Sequence, residues 1–551
     1  MIRGRLWIGL SVVAAALAAR GAPQIQLDSG LIAGASLGEK GDVHAYKGIP
    51  FAAPPVGDLR WRPPQAPKPW EGVRACTAFG PWCPQPQPLM GRELGTLSED
   101  CLYLNVWTPA HKPTDRLPVM VWIHGGGHTT GSGASTYYDG ERLAREGVVL
   151  VTINYRLGPF GYLAHPLLSQ ESEHKASGNY GLLDQIAALQ WVQRNVAAFG
   201  GDPGCATIFG ESAGSASVCR LMVSPLAKGL FHRAIAQSGG AHGNNRHLRE
   251  EWNRLPPMEK IGEQLAEQLG CARAADPLAT LRAKTWQEVL AAAAPAQGLF
   301  GKGIKFGPVV DGWALPDDPT VLFAAGKQHD VPFLVGSNAD EGSVFVQQAP
   351  IRRVQGYKWL LGRRFGKHAD RVFALFPAEE DAEVQAAFSR LVGVSAFVAP
   401  ARFLVRSMAK CKSPAYLYHF TRVPPSERLR KLGAFHALEI GYVFGTIEGR
   451  PGFDDTDRRL SETMRKCWTR FARSGDPNGE GLPRWPAYAR EADQCLEFGD
   501  EVKVRVGLHK QACDLFDAIQ AEAGPKRGRS GKPPTSDRSP RLPPGQSTSG
   551  R

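Results

Sequence analysis

Ser212 stands at the centre of Gly210-Glu211-Ser212-Ala213-Gly214, between the apolar run Ala206-Thr207-Ile208-Phe209 and a helix-forming stretch from Ser215 to Met222. A serine on a sharp strand-to-helix turn is pushed out of the backbone toward solvent, and glycines two before and two after it remove side chains that would collide there. The helix beyond adds backbone N–H groups and a positive dipole end where an oxyanion would form. Such a serine is placed to attack a carbonyl carbon. G-x-S-x-G alone is a loose pattern that unrelated chains contain by chance, but a second element stands upstream. Leu117-Pro118-Val119-Met120-Val121-Trp122-Ile123 reads as a buried strand that runs straight into His124-Gly125-Gly126-Gly127. Successive glycines let the backbone lie flat against a ligand with its N–H groups exposed. An oxyanion hole of this type takes donors from Gly126 and Gly127, with a third from Ala213, the residue after the serine.

A serine hydroxyl is a weak nucleophile at neutral pH, so an imidazole must take its proton and a carboxylate must orient the imidazole. In this arrangement the chain order is serine, acid, histidine. Downstream, Val331-Pro332-Phe333-Leu334-Val335-Gly336 reads as a strand, and the loop after it carries Asn338-Ala339-Asp340-Glu341-Gly342-Ser343. Later, Gly433-Ala434-Phe435-His436-Ala437-Leu438-Glu439-Ile440 precedes Tyr442-Val443-Phe444-Gly445. By proximity alone Asp340, Glu341, Glu439 and Glu211 all compete for the acid.

The elements that would hold these loops alternate. Apolar runs near 148–153, 206–209, 234–237, 333–336 and 416–420 are separated by helical segments such as 182–198 and 260–270. That alternation predicts a mostly parallel central β-sheet. With 551 residues, 43% of them hydrophobic, the chain can bury a large core.

Read together, these blocks resemble the type-B carboxylesterase/lipase family of the α/β-hydrolase fold, the cholinesterase-like group that includes secreted bacterial carboxylesterases. The resemblance runs from about residue 24 to about 518 and includes Tyr46-Lys47-Gly48-Ile49-Pro50-Phe51, Ser98-Glu99-Asp100-Cys101-Leu102-Tyr103-Leu104-Asn105-Val106-Trp107, Gly178-Asn179-Tyr180-Gly181 and Gly307-Pro308-Val309-Val310-Asp311-Gly312. It implies an α/β fold with helices flanking a mostly parallel sheet and helical insertions. It implies Glu341 as the acid, with Asp340 the local rival, and His436 as the base. Glu211 would line the substrate pocket. The activity implied is hydrolysis of short or medium aliphatic or aryl carboxylic esters through an acyl-enzyme, with no cofactor and no metal. A lipase acting on longer-chain acylglycerols is the alternative, and a non-catalytic adhesion protein a remoter one. The resemblance also implies buried ion pairs Arg60–Glu99 and Arg156–Asp184, and a disulfide from Cys83 to Cys101, with Cys76 a nearby competitor. A second family bridge would start at Cys271, but its partner region, Leu278-Ala279-Thr280-Leu281-Arg282, has no cysteine. Cholinesterases hold a quaternary ammonium group against an aromatic face; the corresponding stretch here, Pro88-Leu89-Met90-Gly91-Arg92-Glu93, has none, which disfavours choline esters.

The termini read differently from the body. Residues 1–22 form a signal peptide, with a basic start, an apolar stretch from Leu6 to Ala19 and small residues before a cleavage point. Export to the periplasm or beyond follows, with no stable membrane span once the signal is removed. The catalytic domain covers 23–523, and 524–551 is a Pro/Gly/Ser-rich tail with the composition of disorder. That tail holds seven Lys/Arg and one Asp, half of the net charge of +12. No nucleic-acid module accompanies the charge. No Cys/His spacing matches a metal site. The expected partner is a small-molecule ester, and the expected state a monomer or weak oligomer.

Overall fold

The apolar runs become the middle of an eleven-stranded sheet. In chain order its strands are β1 (Ala35–Leu37), β2 (Val43–Pro50), β3 (Tyr103–Thr108), β4 (Leu117–Ile123), β5 (Val149–Ile153), β6 (Gly201–Glu211), β7 (Arg233–Gln237), β8 (Phe333–Asn338), β9 (Ala415–Phe420), β10 (Gln494–Phe498) and β11 (Val502–Val506). Across the sheet they lie in the order β11-β10-β9-β8-β7-β6-β4-β5-β3-β2-β1. From β5 to β10 every neighbouring pair is parallel, and the antiparallel strands stand at the two edges. The computed structural model describes residues 23–523 apart from 40, 89–93, 243–244, 253–254 and 348. The expected signal, the expected tail and all but Pro88 of the Pro88–Glu93 stretch therefore lie outside the described residues.

Both faces of the sheet are covered, and the period-two geometry of a strand shows how. Along β4, Val119, Val121 and Ile123 enter one apolar cluster while Met120 and Trp122 enter another on the opposite face. Helix α1 (Tyr180–Asn195) and helix α2 (Ala213–Leu221) belong to the first side. Trp107, Trp122, Trp468 and Trp485 fill the second, all essentially inaccessible.

Register brings the chemistry-bearing loops to one level. Ile123 at the end of β4 opposes Gly210 of β6, Glu211 opposes Gln237 of β7, and Gln237 opposes Gly336 of β8. The loops that follow β4, β6 and β8 thus leave the sheet side by side, at the carboxyl ends of parallel strands, where α/β proteins place their sites.

Between β8 and β9 the chain inserts helices with their own core: α3 (Val354–Phe365), α4 (Val384–Gly393) and α5 (Ala399–Ser407), the last two joined by a π-helical turn over Val394–Val398. The helical run Asp381–Lys410 is apolar enough by length and composition to cross a membrane, but 72% of its most apolar window is buried in the protein, as suits the core helix of an insertion.

The two expected buried ion pairs form. Arg156 donates to Asp184 through Nε (2.8 Å) and Nη2 (2.7 Å), with side chains 2% and 0% exposed. Arg60 donates to Glu99 through Nε at 2.7 Å and through Nη2, while its Nη1 donates to the backbone oxygens of Arg282 and Lys284. The expected Cys83–Cys101 bridge does not form. Both residues are buried free thiols, as are Cys76 and Cys271. Cys83 and Cys101 meet in a hydrogen bond that, together with burial, pushes the Cys101 thiol well above its usual range. Cys83 Sγ also accepts from the backbone N–H of Leu157 at 3.2 Å. Packing alone brings these two sulfurs together, with no bond between them in this structure.

Candidate active site

Strand β6 ends at Glu211 and α2 begins at Ala213, so Ser212 is the whole turn between them. Its backbone sits at φ 57°, ψ −119°, a region an L-residue occupies at a cost of about 1–3 kcal/mol and only where the surroundings force it. The crowding is visible at Gly214, where a Cβ would lie 1.9 Å from the carbonyl oxygen of Ile123. No other residue fits there, because the obstacle is backbone of the neighbouring strand. Gly126 is equally restricted: its φ is +104°, and a Cβ would meet Thr130 O at 2.1 Å. Its carbonyl accepts from the N–H groups of Thr129 and Thr130, which curls the loop. Among the described residues nothing accepts from the N–H groups of Gly126, Gly127 or Ala213, leaving three donors near the elbow for a ligand.

The loops after β8 and β9 are laced together around His436. The backbone N–H of Asp340 donates to Ala434 O at 3.0 Å, and the Asp340 carboxylate accepts from the N–H of Ala434 at 2.8 Å. Asn338 Nδ2 donates to Phe435 O at 2.8 Å. Held by these bonds, Glu341 Oε2 accepts from His436 Nδ1 at 2.5 Å, while its Oε1 accepts from the N–H of Asn338 at 2.7 Å. Glu341 is thus the carboxylate on the imidazole, and Asp340 is engaged with backbone.

Glu211 does more than line a pocket. Its Oε1 lies 3.0 Å from His436 Nε2, so the imidazole is held between two carboxylates and reaches the elbow through the neighbour of Ser212. Burial alone would pull the imidazole down, but the charges of Glu211 and Glu341 outweigh it and raise His436 to about 9. Phe345 and Phe397 pack on the ring at 4.9 and 4.8 Å, Phe397 coming from the π-helical turn, a feature often found at functional sites.

A third buried carboxylate, Glu439, stands behind this pair. Its Oε2 accepts from Asn338 Nδ2 at 2.6 Å and its Oε1 from Gln237 Nε2 at 3.1 Å. Neither amide can turn round: Asn338 Nδ2 also serves a carbonyl, and Gln237 Oε1 accepts from Trp468 Nε1, which can only donate. Both faces of Glu439 therefore meet donors. Burial and the charge of Glu341 still push it up to about 7. Gln237 and Trp468 of this network sit in a strand and in a helix far apart in the chain, and no motif marks them. Ser212, Glu341, His436 and Glu211, by contrast, all come from the blocks the sequence singled out. Among the described residues no cluster of His, Cys, Asp and Glu could hold a metal ion.

A mostly parallel sheet carrying a strained serine, a glycine-rich loop beside it and a histidine clasped by carboxylates defines an α/β hydrolase. The chain belongs to the carboxylesterase family, whose model matches residues 21–516. It is similar to a fumonisin B1 esterase of Sphingopyxis macrogoltabida, 41% identical over 488 residues that cover 86% of this chain and 87% of that one. It is also similar to a para-nitrobenzyl esterase of Bacillus subtilis, 38% identical over 477 residues (84% and 92% covered), and to the precursor of a medium-chain fatty acyl-CoA hydrolase of Anas platyrhynchos, 36% identical over 482 residues (81% and 83%). The protein is an esterase.

Proposed function

We propose that Ser212, His436 and Glu341 are the catalytic triad of a carboxylic-ester hydrolase and that the N–H groups of Gly126, Gly127 and Ala213 form its oxyanion hole. The observation that carries this reading is the strained elbow at Ser212 together with His436 held between Glu341 and Glu211, the residue that precedes the serine. Ser212 Oγ attacks the ester carbonyl while His436 Nε2 takes its proton, giving a tetrahedral oxyanion. The imidazolium so formed is flanked by two carboxylates. Collapse expels the alcohol, which leaves with the proton from His436, and an acyl-serine remains. Water, deprotonated by the same nitrogen, then releases the acid and restores the serine. Each oxyanion donor is worth about 3 kcal/mol of barrier.

Short or medium aliphatic and aryl esters are the substrates this reading favours. The names of the relatives, an esterase of para-nitrobenzyl esters and a medium-chain acyl-CoA hydrolase among them, support that range. We extend the reading to export: on composition alone, residues 1–22 read as a signal peptide and 524–551 as a basic Pro/Gly/Ser-rich tail. Ser212→Ala tests the core of the proposal. It should abolish hydrolysis of p-nitrophenyl esters with an unchanged melting profile, and retention of substantial turnover in folded protein would refute it. Comparing soluble esters with emulsified long-chain triglyceride separates an esterase from a lipase.

A further inference from the structure

We propose that the exposed face of α3 is a docking surface for an anionic lipid bilayer. Residues 350–373 hold seven Lys/Arg and one Asp, half of the chain's net charge of +12; the tail holds the other half, so the rest of the chain is close to neutral. Among the described residues Lys367 has a carboxylate partner, Glu522 at 2.7 Å, whereas Arg353, Lys358, Arg363 and Arg364 have none. A folded protein ordinarily intersperses such a run with acids. Here the positive field is left uncompensated over the helix itself.

The same face shows an aromatic. Trp359 is 63% exposed, more than any other tryptophan or phenylalanine among the described residues, and the guanidinium of Arg363 lies 5.4 Å from its ring. Gly356 and Gly362 stand three residues before and after it, hence on its own side of the helix. A Cβ at either would meet nothing within 4 Å. Glycine weakens a helix interior, and packing does not ask for it at these places. The effect is to strip the surroundings of the indole, so that a flat surface can reach it. The opposite face is anchored: Tyr357 and Leu361 are buried in the insertion core, the same cluster that holds Phe345 and Phe397 against His436. The docking face is therefore preformed and rigidly joined to the wall of the site.

Cations around a bare tryptophan match the headgroup layer of an anionic membrane, where phosphates meet the cations and the amphipathic indole sits at the boundary with the acyl chains. A nucleic acid would use the charge but leaves the indole unexplained without a base-binding platform beside it. The inference does not depend on the role given to Ser212.

The test is co-sedimentation of the full chain with phosphatidylcholine vesicles, with and without about three-tenths phosphatidylglycerol, at low and high salt. The wild type should bind the anionic vesicles and not the neutral ones. Lys358→Glu combined with Arg363→Glu should weaken binding at least about tenfold at low salt. Trp359→Ser should weaken it severalfold at both salt levels, and both variants should hydrolyse a soluble ester as the wild type does, which reports an intact fold. Because every variant keeps the basic tail, binding by the tail alone would leave them all at wild-type affinity and would overturn the proposal. So would equal binding to neutral vesicles, absence of binding, or retention on heparin or DNA with Trp359→Ser indistinguishable from wild type.

Discussion

Replacing Glu341 with glutamine keeps the shape of the side chain, and the structure dictates how the new amide must sit. One oxygen of Glu341 accepts from the backbone N–H of Asn338 at 2.7 Å and the other from His436 Nδ1 at 2.5 Å. The Asn338 N–H can only donate, so the amide oxygen of glutamine must face it. The amide NH2 is then turned onto His436 Nδ1, which must accept, and the ring proton moves to Nε2. That nitrogen can no longer take the proton of Ser212. Triads trapped in the wrong tautomer lose about 10⁴ in kcat, equivalent to about 5.4 kcal/mol of barrier. Asp340→Asn behaves differently, because its bond to the N–H of Ala434 survives with the amide oxygen as acceptor; the loss should stay below about tenfold. The assay is kcat on a soluble p-nitrophenyl ester at saturation, with melting curves for both variants. A Glu341→Gln enzyme within about tenfold of wild type, or an Asp340→Asn enzyme that falls further, would refute the assignment.

The buried pair Arg156–Asp184 is a stability element: Asp184→Ala strands a guanidinium that is 2% exposed, so unfolding in urea should come earlier by about 3–5 kcal/mol, while Glu427→Ala, which breaks an exposed pair, should leave the midpoint in place. Gly214→Ala drives a methyl into Ile123 O, 1.9 Å away; it should cost at least about 3 kcal/mol and remove activity, and a folded, active variant would show that the elbow is not confined as described. The pH profile follows from the imidazole. His436 is raised from 6.5 to about 9, so folding gains stability that is complete below 6.5 and is lost as pH rises through 9, whereas turnover needs the neutral ring and should climb over the same window. Glu211→Gln removes one of the two charges responsible and should move the acid limb of kcat/KM to lower pH; a limb that stays put or moves up would exclude Glu211 from the proton chemistry.

What the chain encodes locally is legible in its sequence. The elbow is written in a few consecutive residues, Gly210 to Gly214, although the obstacle that demands Gly214 is the Ile123 carbonyl of the neighbouring strand; the glycine-rich loop after β4 is likewise written in adjacent positions. Alternating apolar runs were enough to foresee a parallel sheet, because strand burial imposes them residue by residue. Asp340 and Glu341 could not be told apart by the residues themselves; neighbours on a loop point in different directions, and only the packing of two loops, clasped by Asn338 and Ala434, shows which carboxylate meets the ring. The contact of Glu211 with His436 and the buried carboxyl of Glu439 depend on strand register and on donors from Gln237 and Asn338, partners far apart in the chain. Cys83 and Cys101 mark the same boundary from the other side: their resemblance to a bridged pair set them near each other, but whether two sulfurs in contact are bonded is a question of oxidation that spacing does not encode, and in this structure they are thiols. Local sterics and periodicity are properties of sequence; which charges share a buried pocket is decided when distant segments pack, because only there does the loss of water make each partner count.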